Sequence, residues 1–225
     1  MKRAVIPELL DSDAGTSSEV ASSLSDLNRI NRWFGGVATT RFLVERVAQE
    51  LGAKSLSLLE VAAGSGAVPT AVAALTQAAI KIEVTLLDRA ASHLNENRRV
   101  VVGDALALPF SDDSFDLVSS TLFVHHLAPE ETVRFINESL RVCRMAVVIN
   151  DLIRHPAHLA LVYAGMPLYR SRLTRHDAPA SVRQSYTMNE ICNMGQASRA
   201  ARVDITRHFL FRMGAIAWKN AAATK

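Results

Sequence analysis

Short apolar runs that alternate with helical stretches constrain the fold of this chain more than any other feature. Five runs have the length and composition of buried strands: Leu56–Ala62, Ile82–Leu87, Val100–Val102, Phe115–Ser120 and Met145–Asn150. The segments between them include three helical candidates: Val68–Ala79, Arg89–Glu96 and Pro129–Cys143. This alternation is typical of βα units around a parallel sheet. The sequence therefore predicts an α/β fold with five parallel strands.

The segments on either side of these units follow other patterns. A capping-box sequence at residues 16–19 predicts a helix that ends at Gly35-Gly36, and a second helix is predicted from about Thr39 to Gly52. Near the other end, Arg202–Arg212 and Gly214–Trp218 are rich in β-branched and aromatic residues. No helix separates these two runs, so we expect them to pair as antiparallel strands. The predicted sheet has seven strands.

The remaining segments carry weaker signals. The first fifteen residues show no periodicity and are expected to form a loose tail. After Asp151 we expect a helical stretch to about Tyr169, a polar, arginine-rich loop through Arg183, and a short helix that begins at a capping box at Thr187. This divides the chain into an N-terminal tail and cap helix, 1–36, and one domain, 37–225, with an arginine-rich lid at about 152–186.

Composition narrows the class of protein. The chain has 225 residues, of which 49% are hydrophobic and 21% charged, so it can bury a core and is not a disordered chain. No apolar run approaches the roughly 20 residues of a membrane span, and the apolar middle of a secretory signal is missing. We therefore expect a cytoplasmic protein. Two cysteines, Cys143 and Cys192, without neighbours at zinc spacing predict neither a disulfide framework nor a metal site.

Charge is distributed unevenly along the chain. Residues 152–225 contain 11 Lys and Arg but only 3 Asp and Glu, whereas residues 1–151 contain 14 and 19. Such an excess favours an acidic ligand near the last third of the chain. A solvated basic surface is the alternative interpretation.

Glycines follow the first predicted strand closely. Glu60 lies near the end of that strand, and Gly64 and Gly66 follow, so a ligand could lie directly on the backbone of the turn. A dinucleotide fingerprint requires a third glycine, and Pro69 occupies its position, which disfavours NAD. An ordinary tight turn between strand and helix is the alternative.

Single carboxylates follow the next two predicted strands. Asp88 comes 22 residues after Gly66, where a carboxylate can accept hydrogen bonds from the two hydroxyls of a ribose. Taken alone, Asp88 would more often cap a helix. Asp104 ends the third strand, where it could accept a hydrogen bond from an adenine amine, with Leu106 and Leu108 beside the ring.

These motifs, in this order and with these gaps, resemble class I S-adenosylmethionine-dependent methyltransferases, most closely the small-molecule branch of ubiquinone and menaquinone biosynthesis. The motifs are Glu60 with Gly64-Ser65-Gly66, Asp88, Gly103-Asp104-Ala105, Phe115-Asp116-Leu117-Val118 and Val124-His125-His126-Leu127. The likeness covers about residues 37–151 in sequence and the rest only in topology. It implies a Rossmann-like sheet in the order 3-2-1-4-5-7-6, with the last strand antiparallel.

The resemblance also implies which residues hold the cofactor S-adenosylmethionine, whose product is S-adenosylhomocysteine. Each part of the cofactor has its own set: Glu60, Ala62, Gly64 and Gly66 at the methionine portion, Ser120 or Thr121 at its end, Asp88 at the ribose, and Asp104 with Ala105 at the adenine. Arg89, beside Asp88, joins the cofactor-binding set. The family pattern has a smaller residue where Ala62 stands, and a methyl group there can be accommodated.

Candidates for catalysis and acceptor binding come from the segments after strands 4 and 5. His125 and His126 could act as a general base, because imidazole titrates near neutral pH; packing or a helix-start hydrogen bond is the alternative. Asn150, with Asp151 beside it, ends strand 5 next to the same cleft, where it could hold the acceptor; a metal ion is the alternative ligand. Arg154, Arg172 and Arg175 would recognise a carboxylate, phosphate or enolate on the acceptor, or an acidic carrier protein.

The expected function is methyl transfer to a small-molecule acceptor of acidic character. Strand 4 continues as Ser119-Ser120-Thr121-Leu122, without the Asn-Pro-Pro motif of enzymes that methylate base amines. Two alternatives are an RNA methyltransferase that uses the basic last third, and a protein that binds S-adenosylmethionine without turnover. The low aromatic content, 6%, disfavours nucleic acid as a partner, and no membrane partner is expected.

Overall fold

The computed structural model describes residues 1–12, 14–91 and 99–220. Its strands in chain order are β1 (Ser55–Val61), β2 (Lys81–Asp88), β3 (Val100–Val102), β4 (Phe115–Thr121), β5 (Cys143–Leu152), β6 (Arg202–His208) and β7 (Arg212–Trp218). They form one sheet in the order β3-β2-β1-β4-β5-β7-β6. The first five strands are parallel, and β7 is antiparallel to both of its neighbours. The predicted sheet order and strand directions are confirmed.

Helices surround the sheet. They are α1 (Ser17–Trp33), α2 (Gly36–Leu51), α3 (Ala67–Thr76), α4 (Pro129–Val142), α5 (Pro156–Ala164), α6 (Arg172–Gln184) and α7 (Met188–Gln196). The predicted helix Arg89–Glu96 falls largely outside the described residues. None of the helices in the described part of the chain combines the length and apolarity needed to span a bilayer.

Each face of the sheet has its own hydrophobic core, because successive side chains of a strand point to opposite faces. Leu58 in β1 belongs to the core that α2 and α3 cover, with Val44 of α2 as a member. The next residue, Leu59, belongs to the core under α4 and α7, with Phe135 of α4. The central strands are therefore buried on both sides, and the carboxyl ends of β1, β2 and β4 meet at one edge of the sheet.

Helices α1, α5 and α6 cover this edge. α1 is fastened to α6 by a hydrogen bond of 3.0 Å between the hydroxyls of Ser23 and Thr174. The buried carboxylate of Asp26 in α1 accepts hydrogen bonds from the backbone N–H groups of Arg170 and Ser171, at 2.8 and 2.9 Å. These bonds hold α1 across the strand ends and so enclose a cleft.

The segment predicted as an arginine-rich loop is instead helix α6. The side chain of Ser171 caps it by accepting a hydrogen bond from the N–H of Leu173, at 3.2 Å. Leu173, Asp177, Ala180 and Gln184 are buried at helical spacing along one stripe. Because that stripe alternates apolar with polar side chains and Pro179 interrupts it, hydrophobic periodicity gave no helix signal here.

The predicted loose tail is also wrong, because residues 1–12 form an N-terminal arm bound to the rest of the fold. Asp177 of α6 accepts hydrogen bonds from the backbone N–H groups of Leu9 and Leu10, at 2.8 and 3.1 Å. The guanidinium of Arg3 donates to the carbonyl of Leu127, at 2.9 Å, and the N–H of Ala4 donates to the carbonyl of Arg183, at 3.1 Å. The arm thereby closes one side of the cleft.

Candidate active site

A cavity of about 700 Å³ lies at the carboxyl edge of the sheet, under α1, α5, α6 and the N-terminal arm. The turns after β1, β2 and β3 line one side of it, and residues after β4 and β5 and at the start of β7 line the other. This is the edge at which open α/β sheets bind their ligands. Since β1 and β4 are neighbours in the middle of the sheet, the two sides meet there.

The glycine turn after β1 requires a backbone conformation that favours glycine. Gly64 and Gly66 have φ angles of +51° and +66°, and even Ala62 adopts +54°. A Cβ atom on Gly66 would lie 2.3 Å from Cδ1 of Leu86, whereas one on Gly64 would meet nothing within 4 Å. Packing against Leu86 therefore requires glycine at position 66. Gly64 lines the cavity, and the space beside it is open.

Asp88 connects the end of β2 to this turn. One of its carboxylate oxygens accepts a hydrogen bond from the N–H of Gly64, at 2.8 Å, and the other accepts from the N–H of Ala90, at 2.9 Å. Each oxygen retains a lone pair that a ribose hydroxyl could use. Arg89 is exposed and also lines the cavity.

The loop after β3 forms the wall beyond Asp88. Asp104 is exposed and accepts a hydrogen bond from the N–H of Leu106, at 2.8 Å, and Ala105 lines the cavity with both of them. Two residues of α4 hold this loop through the backbone of Leu108. The carboxylate of Glu138 accepts a hydrogen bond from the N–H of Leu108, at 3.0 Å, and the guanidinium of Arg141 donates one to its carbonyl, at 3.1 Å. The loop is therefore held in place before any ligand binds.

Glu60 is a buried carboxyl group that faces the cavity. It accepts hydrogen bonds from the hydroxyls of Ser119 and Thr121. Burial raises the pKa of Glu60 to about 7, and the two hydroxyls only partly oppose that rise. In the described part of the chain, no ion pair neutralises this carboxylate, so a cationic ligand group beside it would be stabilised.

The two candidates at the end of β4 differ in their placement. Thr121 lines the cavity, and its hydroxyl lies 3.5 Å from that of Thr40 in α2. Ser120 is buried and does not line the cavity, and its hydroxyl finds no partner among the described residues. Thr121 is therefore the candidate for a ligand contact.

The two histidines after β4 belong to a cluster of imidazoles and carboxylates. Nδ1 of His125 lies 2.7 Å from Oδ1 of Asp151, and Nδ1 of His126 lies 2.9 Å from Oδ2 of Asp11. Their other ring nitrogens face Glu8 of the N-terminal arm, at 3.5 Å for His125 and 4.0 Å for His126. His125 is buried, whereas His126 is partly open to the cavity.

The carboxylates determine the charge of His125. Burial opposes the charged imidazolium, but Asp151 and Glu8 outweigh it and raise the pKa of His125 to about 10. Burial likewise opposes ionisation of Asp151 and Glu8, yet His125 holds the pKa of each carboxyl below its ordinary value. Near neutral pH, His125 therefore already carries a proton and cannot accept another.

Four residues predicted to bind the acceptor do not line the cavity. Asn150 is fully buried and donates to the carbonyl of Gly36 and the hydroxyl of Thr40, at 2.8 and 2.9 Å. Arg154 is buried in bonds to the carbonyl of Ser185 and to Glu190, at 2.7 and 2.8 Å. These two residues connect secondary structure elements.

The other two arginines lie on the outer surface. Arg172 pairs with Glu19 of α1, at 2.5 Å, and Arg175 donates to the carbonyl of Tyr169, at 3.1 Å. The arginine-rich segment therefore presents much of its charge away from the cavity.

Arg212 was not predicted from the sequence, although it lines the cavity from the start of β7. Its guanidinium is buried and donates to the amide oxygens of Asn31, at 2.7 Å, and Asn150, at 3.4 Å. Burial lowers the pKa of Arg212 to about 10, although Asp151 partly opposes that shift. No local motif marks this residue; the only sequence signal was the excess of basic residues in the last third of the chain.

Glu8 and Asp11 were missed as well, and they line the cavity together with His158, which belongs to the basic segment after Asp151. His158 of α5 stacks on Phe211 with ring centres 5.1 Å apart, and burial lowers its pKa. Glu8 and Asp11 lie in a segment that had been expected to be a tail.

Comparison with known proteins agrees with the site. Residues 59–148, which include β1, the glycine turn, Asp88, Asp104 and both histidines, match the model of a family described as a methyltransferase domain. This segment of the chain is therefore similar to a methyltransferase domain. This match confirms the methyltransferase activity predicted from the sequence. No curated protein matches the sequence significantly.

Solved structures extend the likeness in fold to nearly the whole chain. The plantazolicin methyltransferase BpumL, in complex with a triazolic desmethylPZN analog and SAH, is 12% identical, with a TM-score of 0.70 over 95% of this chain and 94% of its own. The related BamL complex is 13% identical, with a TM-score of 0.66 over 90% and 91%. A SAM dependent methyltransferase from Aquifex aeolicus is 17% identical, with a TM-score of 0.55 over 78% and 89%.

Proposed function

We propose that this methyltransferase transfers the methyl group of S-adenosylmethionine to a small, anionic acceptor that binds between Thr121 and Arg212. The observation that carries the proposal is Glu60, a buried carboxyl without a cationic partner in the described structure, facing the cavity beside the glycine turn. S-adenosylmethionine supplies a methyl group on a sulfonium, together with an ammonium group that would neutralise such a carboxylate.

The chain's own residues would bind and orient this cofactor along the turns after β1, β2 and β3. Glu60 and the open side of Gly64 would receive the methionine portion. Asp88 would accept the ribose hydroxyls, and the loop at Asp104 and Ala105 would border the adenine, with Arg89 at the rim. Because the partners of Asp88 and Asp104 already fix these groups, little conformational freedom is lost on binding.

Arg212 supports an anionic acceptor. A guanidinium that is buried beside a cavity and bonded to two amide oxygens, rather than to a carboxylate, is suited to an incoming anion. Arg212 therefore takes the role that the sequence had given to Arg154, Arg172 and Arg175. Its position in β7, two strands beyond β4 and away from the glycine turn, supports this role.

Methyl transfer from a sulfonium depends strongly on positioning, because the leaving thioether is already good. The residues around the cavity would hold the acceptor in line and exclude water. Of the two histidines, His126 is the candidate base, since it is partly open to the cavity and His125 is already protonated. The closer affiliation with the ubiquinone and menaquinone branch stays a prediction.

The test is turnover with a panel of matched acceptors. Purified protein is incubated with S-adenosylmethionine and hydroxy acids, phenolic acids and enolic compounds, each beside its neutral ester or amide, and S-adenosylhomocysteine is quantified. We expect turnover with at least one acid and a loss of about 10-fold or more in kcat/KM with its neutral counterpart. Turnover confined to RNA, or S-adenosylmethionine binding without turnover on any acceptor, would contradict the proposal.

A further inference from the structure

We propose that Glu8, His125 and His126 form a binding site for a divalent transition-metal ion such as Zn²⁺, at the acceptor end of the cavity. One carboxylate oxygen and one nitrogen from each ring all lie within 4.8 Å of one another. Ligands of a tetrahedral zinc ion lie roughly 3 to 3.5 Å apart, given metal distances of about 2.0 to 2.2 Å. Oε1 of Glu8 lies 3.5 Å from Nε2 of His125, and its Oε2 lies 4.0 Å from Nε2 of His126, so both distances are near that spacing.

The groups around the cluster orient it as the outer shell of a metal site would. A histidine that binds a metal usually donates its other ring N–H to a carboxylate, which fixes its tautomer and its direction. Here both do so, His125 to Asp151 and His126 to Asp11, and Nε2 of each ring faces Glu8.

The carboxylate of Glu8 is held as well. The hydroxyl of Ser181 and the amide of Gln184, both in α6, donate to its Oε1 at 2.6 and 2.7 Å. All three proposed ligands are therefore oriented by other side chains before any ion binds.

The charges of the cluster also favour a divalent cation. Three carboxylates, Glu8, Asp11 and Asp151, surround two imidazoles that are neutral as metal ligands. A divalent ion would neutralise two of these three negative charges, and two protons bound to the imidazoles would neutralise as many. Metal and protons therefore compete for the cluster, and metal binding would release protons.

An ion here would leave coordination positions that face the cavity, because the three ligands come from its wall. Resting on the proposed function, we expect that open side to bind an oxygen of the acceptor and to stabilise its deprotonated form. The histidines would then be ligands rather than bases. Such an ion would also fasten the N-terminal arm, through Glu8, to the segment after β4.

The test measures Zn²⁺ binding to the full chain after treatment with a chelator. Equilibrium dialysis with metal analysis, and calorimetric titration at pH 7.5, compare the wild type with Glu8→Gln and His126→Asn. We expect one Zn²⁺ per chain in the wild type and about 100-fold weaker binding in each variant. Asp11→Asn, which leaves all three ligands in place, should lose about 10-fold to 100-fold, as outer-shell changes do.

Glu45→Gln is the matched control, because it removes a carboxylate from a surface ion pair with Arg41 and should leave Zn²⁺ binding unchanged. Circular dichroism checks that each variant folds, and Co²⁺ absorption reports nitrogen and oxygen ligation directly. Equal Zn²⁺ binding by the wild type and the Glu8→Gln/His126→Asn double variant would overturn the inference. The cluster would then bind protons and no metal ion. S-adenosylhomocysteine binding, measured on the same samples, distinguishes this failure from failure of the proposed function.

Discussion

Replacing Glu60 by glutamine should change how the stability of the ligand-free protein depends on pH. The pKa of Glu60 is about 7 in the folded protein, against an ordinary value of 4.5. Below about pH 4.5, the folded and unfolded chains both hold the proton. Between these values the unfolded chain releases a proton that the folded chain keeps, so the free energy of unfolding falls as pH rises. Above about pH 7 the penalty is complete.

The size of this penalty follows from the shift. At about 1.4 kcal/mol per pKa unit, the buried carboxylate costs about 3 kcal/mol above neutral pH. Glutamine keeps the shape of the side chain and carries no charge, so Glu60→Gln should remove that cost. The variant should therefore be more stable than the wild type at pH 8 and nearly equal to it at pH 4.5.

Urea unfolding of both proteins at pH 5, 6, 7 and 8 measures this difference. We expect the stability advantage of Glu60→Gln to grow by about 2 to 3 kcal/mol across this range. Glu45→Gln, at an exposed ion pair, should show no such growth. A constant difference between Glu60→Gln and the wild type would refute the assignment of Glu60 as a buried, unpaired carboxyl.

Three further predictions concern the turn, the ribose site and the acceptor. Asp88→Ala should weaken S-adenosylhomocysteine binding at least 10-fold in calorimetric titration, because it removes an anchor of the Gly64 N–H as well as the ribose acceptor; unchanged affinity would contradict the assignment. Gly66→Ala should lower the free energy of unfolding, measured in urea, by about 2 to 4 kcal/mol, because its Cβ would lie 2.3 Å from Leu86. Gly64→Ala should lower it by only about 1 kcal/mol, because its Cβ would meet open space. Equal losses would contradict the packing argument. Arg212→Gln should raise KM for an acidic acceptor about 10-fold or more and leave S-adenosylhomocysteine affinity unchanged; the reverse pattern would place Arg212 at the cofactor.

The sheet could be predicted from sequence because its strands are local and apolar. The prediction for β4, Phe115–Ser120, is one residue short of the observed Phe115–Thr121. The hairpin was less clear: the predicted strand from Arg202 to Arg212 is in fact β6, a turn and the first residue of β7. That turn uses positive φ angles at Leu210 and Phe211, where no glycine or asparagine signals it.

The cavity lining at the ends of β1, β2 and β3, where we propose that the cofactor binds, was likewise predictable, because each of its residues lies at or just after a strand end. The opposite side, where we propose that the acceptor binds, was not predictable, because its residues meet only through long-range contacts. The guanidinium of Arg212 is held at the cavity by a hydrogen bond to Asn31, which is 181 residues away in the sequence. Glu8 reaches His125 only because Asp177 and Arg3 fasten the N-terminal arm. Such contacts cannot be predicted from residue type and local spacing.

A crystal structure of the protein with S-adenosylhomocysteine bound tests the central claim most directly. We expect the ammonium group of the ligand against Glu60, its ribose hydroxyls on Asp88, and its adenine beside Asp104 and Ala105. Its sulfur should be directed towards Thr121 and the proposed acceptor side of the cavity. A ligand bound elsewhere, or in the same cavity with its ammonium group away from Glu60, would contradict that claim.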